Sequence, residues 1–588
     1  MDKLKNIIAL VALIFSAQLT NAQQTVTLDE TVFIHANAST FVSGETILFK
    51  IYCLKSSDKS PSTISKIAYV ELVDENKKSV FKTKIALRNS TGEGDYFIPT
   101  TVKTGNYKLI SYTTWMLNKK VTDYFQIDIT IINPFKSDIK NGTENKLNLS
   151  DSSNQLANKT ETAPASGNIA ESNPDIKVIL PKKTFSNREL VDLRIESANS
   201  SFQDGNYSLS VKRIDNISTK KQISANEFVA SSREVAILDI QNSDNKLHLP
   251  EARGQIISGK ITSKTGTDDL KNKFIGLSLP GKSFAFEISQ TDAQGNFIFY
   301  LKDTFYTSSI TVQLIDEKAN NYTLLLNEDP EINYEGLSFP AFANLSYTLK
   351  ESILDRSVSA QIENAYFHKK MDNISKTPAV EPFYTPLAKQ YVLDDYTRFK
   401  TLKETSTEVV IDIFIRQKDG KNYLHVNDPN VFPQLPEPAL VLVDGLYLEN
   451  QDDLMNYPMK NVYKVDIIIG RYFVGAKPFN GLISFTTFDK DFTSTLTGSS
   501  LVKSNILSPK PKKIYNKIEY VNPNEESRIP DYRNQLYWVP ELKLNSNNTS
   551  FYTSDISGNF EIRLEGFTKN GTPVSVSEFI EVKDASAN

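Results

Sequence analysis

Through much of this chain apolar and polar residues alternate with a period of two. Stretches 33–40, 47–54, 67–74 and 80–87 carry that pattern near the start, and 190–195 and 207–211 repeat it, so each predicts a half-buried β-strand. Further on, 409–415, 462–470 and 479–487 read as strands, and 439–443 is apolar almost without a break before the turn Asp444-Gly445, with a short helix expected at 453–457. The period lengthens at 345–370, where Ile353, Leu354, Val358, Ile362 and Tyr366 fall three to four residues apart; this spacing predicts a helix ending near His368. A second helical stretch is expected at 393–403, with Tyr396, Phe399 and Leu402 on one stripe. Between the two helices, Pro378, Pro382 and Pro386 mark an extended connector.

One short pattern recurs four times. Gly-Asn-aromatic followed by alternating apolar residues occurs at Gly105-Asn106-Tyr107, Gly205-Asn206-Tyr207, Gly295-Asn296-Phe297 and Gly558-Asn559-Phe560. Glycine and asparagine tolerate positive φ, which suits a tight turn, and the aromatic then fills the first inward position of the next strand. Each copy predicts a hairpin of a small β-sandwich.

With 588 residues the chain needs several domains, and its balance of 66 Lys and Arg against 70 Asp and Glu argues against diffuse attraction to nucleic acid or membrane surfaces. Residues 1–22 combine a basic start, a short apolar core and small residues before Gln23, the pattern of a secretory signal peptide cut after Ala22. The apolar run is too short to span a membrane, and no cysteine follows the cut to carry a lipid anchor. The single cysteine, Cys53, lies in a strand-like run and is expected as a buried apolar residue. Residues 136–174 are rich in Asn, Ser, Thr, Lys and Glu and read as a linker. A second linker is expected at 493–528, its Lys510, Lys512 and Lys513 forming a solvated face.

Catalytic signals are weak. Residues 276–283 satisfy the phosphate-loop pattern, but Phe284-Ala285-Phe286-Glu287-Ile288 then alternates like a strand where that loop needs a helix. His35, His248, His368 and His425 have no partner at metal-ligand spacing. The pairs Asp268-Asp269, Asp394-Asp395 and Asp452-Asp453 suit turns and helix starts. The sequence therefore assigns no catalytic, cofactor-binding or metal-binding residue and points away from an enzyme.

Tyr69-Val70-Glu71-Leu72, Thr104-Gly105-Asn106-Tyr107 and Thr114-Trp115-Met116-Leu117-Asn118 resemble the macroglobulin-like domain of secreted Bacteroidota envelope proteins. The run Asp531-Tyr532-Arg533 to Trp538-Val539-Pro540, with the fourth repeat, resembles another such domain. Macroglobulins proper carry a thioester built on a Cys-Gly-Glu-Gln run; Cys53 is followed by Leu54-Lys55-Ser56, so that chemistry does not transfer. Gly254-Gln255-Ile256-Ile257-Ser258-Gly259 and Thr291 to Phe297 resemble a carboxypeptidase regulatory-like domain. Asp444-Gly445, the strand Val462 to Gly470 and Asn480-Gly481 to Thr486-Thr487 resemble the plug of TonB-dependent receptors. A barrel would need many strands of ~9–11 residues, and the residues after 492 are too few to supply them.

The expected class is mainly β, serial immunoglobulin-like (macroglobulin-like) sandwiches plus one small α/β plug-like domain. The expected order is a signal peptide at 1–22, a macroglobulin-like sandwich at 23–135, a linker at 136–174, a second macroglobulin-like sandwich at 175–252, a carboxypeptidase regulatory-like sandwich at 253–330, a helical connector at 331–405, the plug-like domain at 406–492, a linker at 493–528 and a C-terminal macroglobulin-like domain at 529–588. The resemblance implies an exported, non-enzymatic accessory or scaffold subunit of an outer-membrane β-barrel complex, either the insertion machinery or a TonB-dependent, SusC-like transporter, in the periplasm or at the cell surface. The alternative is a surface-adhesion or glycan-binding protein, for which Trp115 or Trp538 would supply an aromatic platform.

Overall fold

All four Gly-Asn-aromatic copies open strands: Gly105–Tyr112, Asn206–Ile214, Asn296–Leu301 and Gly558–Phe567. Tyr107, Tyr207, Phe297 and Phe560 are all buried. The backbone reason differs from the expected one. Only Gly295 and Gly558 take positive φ, at 82° and 136°, and these are the copies followed by Phe. In the other two copies the tyrosine ties the turn: Tyr107 Oη donates to the Lys103 carbonyl and Tyr207 Oη to the Phe202 carbonyl, each at 2.7 Å. Gly205 is needed there because a Cβ would meet that phenol at 2.1 Å.

The computed structural model describes residues 25–136 and 171–584, apart from 218–220, 232–234, 240–246, 303–307, 343–346, 376–380, 385–387, 432–436, 521–528 and 545–547. The expected signal peptide and nearly all of the expected linker 136–174 lie outside the described residues. The chain is mainly β, a series of sandwiches with one small α/β unit.

Residues 31–132 form the first sandwich. A three-stranded sheet (Thr31–Ala36, Thr46–Leu54 and Thr91–Phe97) faces a five-stranded one whose order is Thr40–Val42, Gln126–Ile132, Gly105–Tyr112, Ile67–Asp74 and Ser79–Ala86. Val32, Ile34, Ile51 and Cys53 fill the space between them. The opposite faces of Thr31–Ala36 and Thr46–Leu54 are buried too, because a second sandwich covers them.

That second sandwich corrects the expected domain map. Strands from 176–214 and from 535–583 interleave in one unit instead of forming two. One sheet pairs Ile176–Ile179, Leu190–Ser197 and Asn548–Tyr552; the other runs Thr184–Ser186, Pro573–Lys583, Gly558–Phe567, Asn206–Ile214 and Gln535–Leu542. Asn206–Ile214 lies between two C-terminal strands. Four strands from either segment alone would leave open edges and half a core.

The third sandwich uses Gln255–Ser263, Asn296–Leu301 and Tyr322–Leu326 against Phe274–Leu279, Ala285–Gln290, Ser309–Leu314 and Leu501–Asn505. Its last strand comes from the segment expected as a linker, which is therefore not a free tether at 501–505. The α/β unit has a mixed sheet ordered Lys389–Val392, Val462–Val474, Lys477–Thr487, Leu440–Val443 and Leu446–Tyr447. Leu440–Val443 reads as continuously apolar because both its faces are covered: Val441 and Val443 point into the unit's own core, Leu440 and Leu442 into a cluster shared with Phe286 and Ile315 of the third sandwich. Asp444 and Gly445 close its turn with φ of 49° and 85°, and the Asp444 carboxylate accepts from the Thr487 N–H at 2.8 Å and hydroxyl at 2.6 Å.

Two helical expectations shift. Lys350–Ala365 is helical, but the stripe that gives it away faces solvent: Leu354 is 60 % exposed and Val358 43 %, while Arg356, Ser357, Ser359 and Ala360 are buried. The helix expected at 393–403 begins instead at Leu402 and runs to Glu408, started by a reciprocal cap between Thr401 and Glu404. Its turn occupies 409–412, so the following strand is Ile413–Lys418.

Candidate functional site

Several of the residues weighed for chemistry make packing or capping contacts. Gly276 to Leu279 lie in a strand that pairs with Ala285–Gln290, so 276–283 is a hairpin with no helix to receive a phosphate. Cys53 is buried, and burial with the nearby Glu30 carboxylate pushes its thiol well up. His425 stacks on Phe414 with ring centroids 5.2 Å apart, and burial pushes it down to about 4. Asp268 caps a turn through Ser263 and Thr265, Asp394 pairs with Arg398, and Asp453 binds Ser494 and Thr495. No group of three or more metal-ligating side chains occurs among the described residues. The lysine cluster is a clamp, not a solvated face: Lys513 pairs with Asp95 at 2.8 Å, Lys512 with Glu541 at 2.5 Å, and Lys510 donates to the Asp95 carbonyl at 3.3 Å.

Buried charge concentrates where modules meet. Arg356, 2 % exposed, reaches from the long helix to the first sandwich, donating to Glu45 Oε1 at 3.0 Å and Oε2 at 2.5 Å and to the Thr40 carbonyl at 3.1 Å. Asp215 of the split sandwich lies 3.4 Å from its other amine. Burial alone would raise Glu45, but the guanidinium outweighs it and holds that carboxyl below its usual range. Nearby, Lys370 pairs with Glu363 at 2.7 Å and approaches Asp531, which Arg533 engages through both guanidinium branches. His35 Nδ1 meets Ser208 Oγ at 2.6 Å between the two sandwiches, and burial lowers its pKa well below the ordinary value, leaving a neutral ring.

A cavity of about 260 Å³ opens at this meeting point. Its walls come from the first sandwich, the long helix, the crossing segment 515–518 and the strand Gln535–Leu542. Trp538, one of the two tryptophans expected as an aromatic platform, stands in the wall with only 6 % exposure and its ring 5.3 Å from His35; Trp115 lies elsewhere, in a 3-10 turn. The Trp538 indole N–H faces the Tyr515 phenol oxygen and acts on it as a hydrogen-bond donor, which leaves the phenol proton and the buried Asn534 Oδ1 without a partner among the described residues. Tyr515 and Arg356 carry no signal that sequence reading picked up: one sits in a segment expected as linker, the other on the helix face opposite the apolar stripe.

No protein-family model matches the chain, and no curated protein does. Solved structures that resemble it include a mutant Salmonella alpha-2-macroglobulin, 8 % identical with a TM-score of 0.22, covering 94 % of this chain and 39 % of that one. The native conformation of the E. coli alpha-2-macroglobulin gives 8 %, 0.22, 95 % and 40 %. The Yersinia pseudotuberculosis adhesin InvE gives 9 %, 0.13, 51 % and 59 %. The chain spans about two fifths of the length of the macroglobulins it matches. At such scores neither activity nor partner passes from those proteins to this one.

Proposed function

We propose that this chain is a non-enzymatic, exported envelope protein acting as an accessory or scaffold subunit of an outer-membrane β-barrel complex, in outer-membrane protein assembly or TonB-dependent, SusC-like transport. The observation that carries the scaffold reading is the destination of the buried charges. Arg356 of the long helix pairs with Glu45 of the first sandwich and Asp215 of the split one, and Lys370 reaches Asp531 of the C-terminal segment, so both fix one module against another, while Arg533 holds Asp531 in place from within its own segment. Catalysis uses perturbed ionisable groups that converge on a substrate; here they converge on neighbouring sheets.

In this reading residues 253–330 with 501–505 are a regulatory-like spacer, and 389–492 are a plug-like module. The mixed sheet, the Asp444-Gly445 turn and the long hairpin Val462–Val474 with Lys477–Thr487 support the second assignment. The hairpin also holds Ile469 and Phe473 out to solvent, at 39 % and 59 % exposure, an apolar edge suited to docking. Extraction of native membranes in mild detergent, followed by pull-down through an affinity tag on this chain, should recover a barrel protein in equal amount. Recovery of the chain alone as a soluble monomer would reject the proposal.

A further inference from the structure

The cavity between the two sandwiches offers more than a scaffold requires. Its ionic groups are largely committed: Glu45 to Arg356, Glu363 to Lys370, Arg533 to Asp531. Lys212 sits with its ammonium 4.4 Å from the Phe41 ring centroid. Three further polar atoms in the lining are neutral. Trp538 Nε1 can only donate, Asn534 Oδ1 can only accept, and Tyr515 Oη can do either. Trp538 Nε1 faces Tyr515 Oη, so the phenol proton and Asn534 Oδ1 are the groups in this lining left for a ligand to satisfy, and a buried polar atom without a partner is costly.

The donor and acceptor set narrows the ligand. Lys212, Lys370 and Arg533 are matched in the lining by Glu45, Glu363 and Asp372, so the cavity carries no net formal charge that would select an anion or a cation. A hydroxyl gives and accepts at once, so a ligand carrying neutral hydroxyls can accept from Tyr515 and donate to Asn534. Tyr532 and the rim residue Phe367, 54 % exposed, add the aromatic surface against which the C–H face of a sugar ring packs. The volume of about 260 Å³ lies just below the ~300–1,000 Å³ of drug-sized pockets, which fits one or two sugar rings and excludes a folded protein element. We propose that this cavity binds neutral carbohydrate, with Tyr515 and Asn534 as its hydrogen-bonding residues, Trp538 donating to the Tyr515 oxygen and Phe367 at its mouth. Such binding is separate from any barrel contact, so either proposal can fail alone.

The test uses the full chain and titration calorimetry with neutral disaccharides (maltose, cellobiose, mannobiose and chitobiose), alongside a neutral-glycan array that separates free sugar from polymer-borne chain ends. At least one saccharide should bind saturably below about 10 mM, a range ordinary for small neutral ligands. Tyr515→Phe keeps the ring and removes its hydroxyl, Trp538→Phe replaces the indole with a smaller phenyl that cannot donate, and each should weaken that binding about tenfold. If either variant fails to fold, Phe367→Ala, at an exposed position, should weaken it several-fold. Binding of none of these sugars, binding only of sulfated or uronic saccharides or of peptides, or unchanged affinity in the variants would overturn the proposal.

Discussion

The first sandwich draws its eight strands from residues 31–132, while the split sandwich draws four from 176–214 and four from 535–583. Both use the same local devices: alternating strands, a Gly-Asn-Tyr copy, and a phenol bonded back to a carbonyl just upstream. Each also contains one parallel strand pair, Thr40–Val42 with Gln126–Ile132 in the first and Thr184–Ser186 with Pro573–Lys583 in the split one. What differs is closure. The first sandwich can bury its core as soon as it is made, whereas the split one must wait for the chain to return past the third sandwich and the α/β unit. Between them, the three-stranded sheet of one lies against the five-stranded sheet of the other: Tyr52 Oη donates to the Glu565 carbonyl at 3.0 Å, and Phe33 meets Phe567 with centroids 5.5 Å apart.

Removing residues 529–588 breaks the comparison most severely. If the two segments were separate domains, only the last would be lost. Interleaving means that Asn206–Ile214 loses both its neighbours and Leu190–Ser197 loses Asn548–Tyr552. Hydrogen exchange on the truncated chain should show 190–214 exchanging like an unfolded segment, while Ile67–Asp74 and Gly105–Tyr112, in the sheet away from the contact, stay protected. Retained protection at 190–214 would rule out the interleaved sandwich.

The next effect tests the seam joining the two sandwiches. Arg356→Met strands Glu45, a carboxylate buried beside it, and removing one partner of a buried pair costs about 3–5 kcal/mol. Adding Glu45→Gln removes the stranded charge and should recover part of the loss. Urea-induced opening, followed through the amides of Lys350–Ala365, checks both variants. A cost below about 1 kcal/mol for Arg356→Met would mean the pair is solvent-screened and the seam is held by packing instead.

Strand positions were legible because alternation is a local consequence of one buried face, and 67–74 and 80–87 fall within a residue of the observed strands. Pairing was not, because nothing within 176–214 records a partner more than 300 residues away; sheet-face complementarity selects it. The long helix was legible as a helix and misleading as to its face, since a guanidinium bonded to carboxylates takes the inner position that apolar residues usually hold. The start of the Leu402–Glu408 helix was written in Thr401 and Glu404, a capping signal outweighed by the apolar spacing upstream. At the cavity, Trp538 stood out by its residue type, but Tyr515 became a wall residue only through the crossing of a segment with little strand pattern.

The smallest expected effect concerns the other seam of the first sandwich, toward the third, where charge compensation is incomplete. Glu251 accepts from the Ile256 N–H at 3.0 Å through one oxygen, and its backbone carbonyl accepts from the Lys66 N–H at 2.8 Å. Tyr69, Lys84 and Asp329 face it, but the Lys84 ammonium is bonded to Asp329 at 2.7 Å. Burial therefore prevails and pushes the Glu251 carboxyl up from 4.5 to about 7. A carboxyl whose folded pKa exceeds its unfolded value holds its proton more tightly when folded. Its contribution is complete below about pH 4.5 and is lost as pH rises through 7, a change on the order of 3 kcal/mol. Glu251→Gln fixes the neutral form, so variant and wild type should unfold alike near pH 4.5, and the variant should be the more stable at about pH 8. Urea midpoints of the two proteins across that range isolate this group from every other carboxylate. Parallel curves would show Glu251 ionised and paired throughout, making this seam as fully compensated as the one at Arg356.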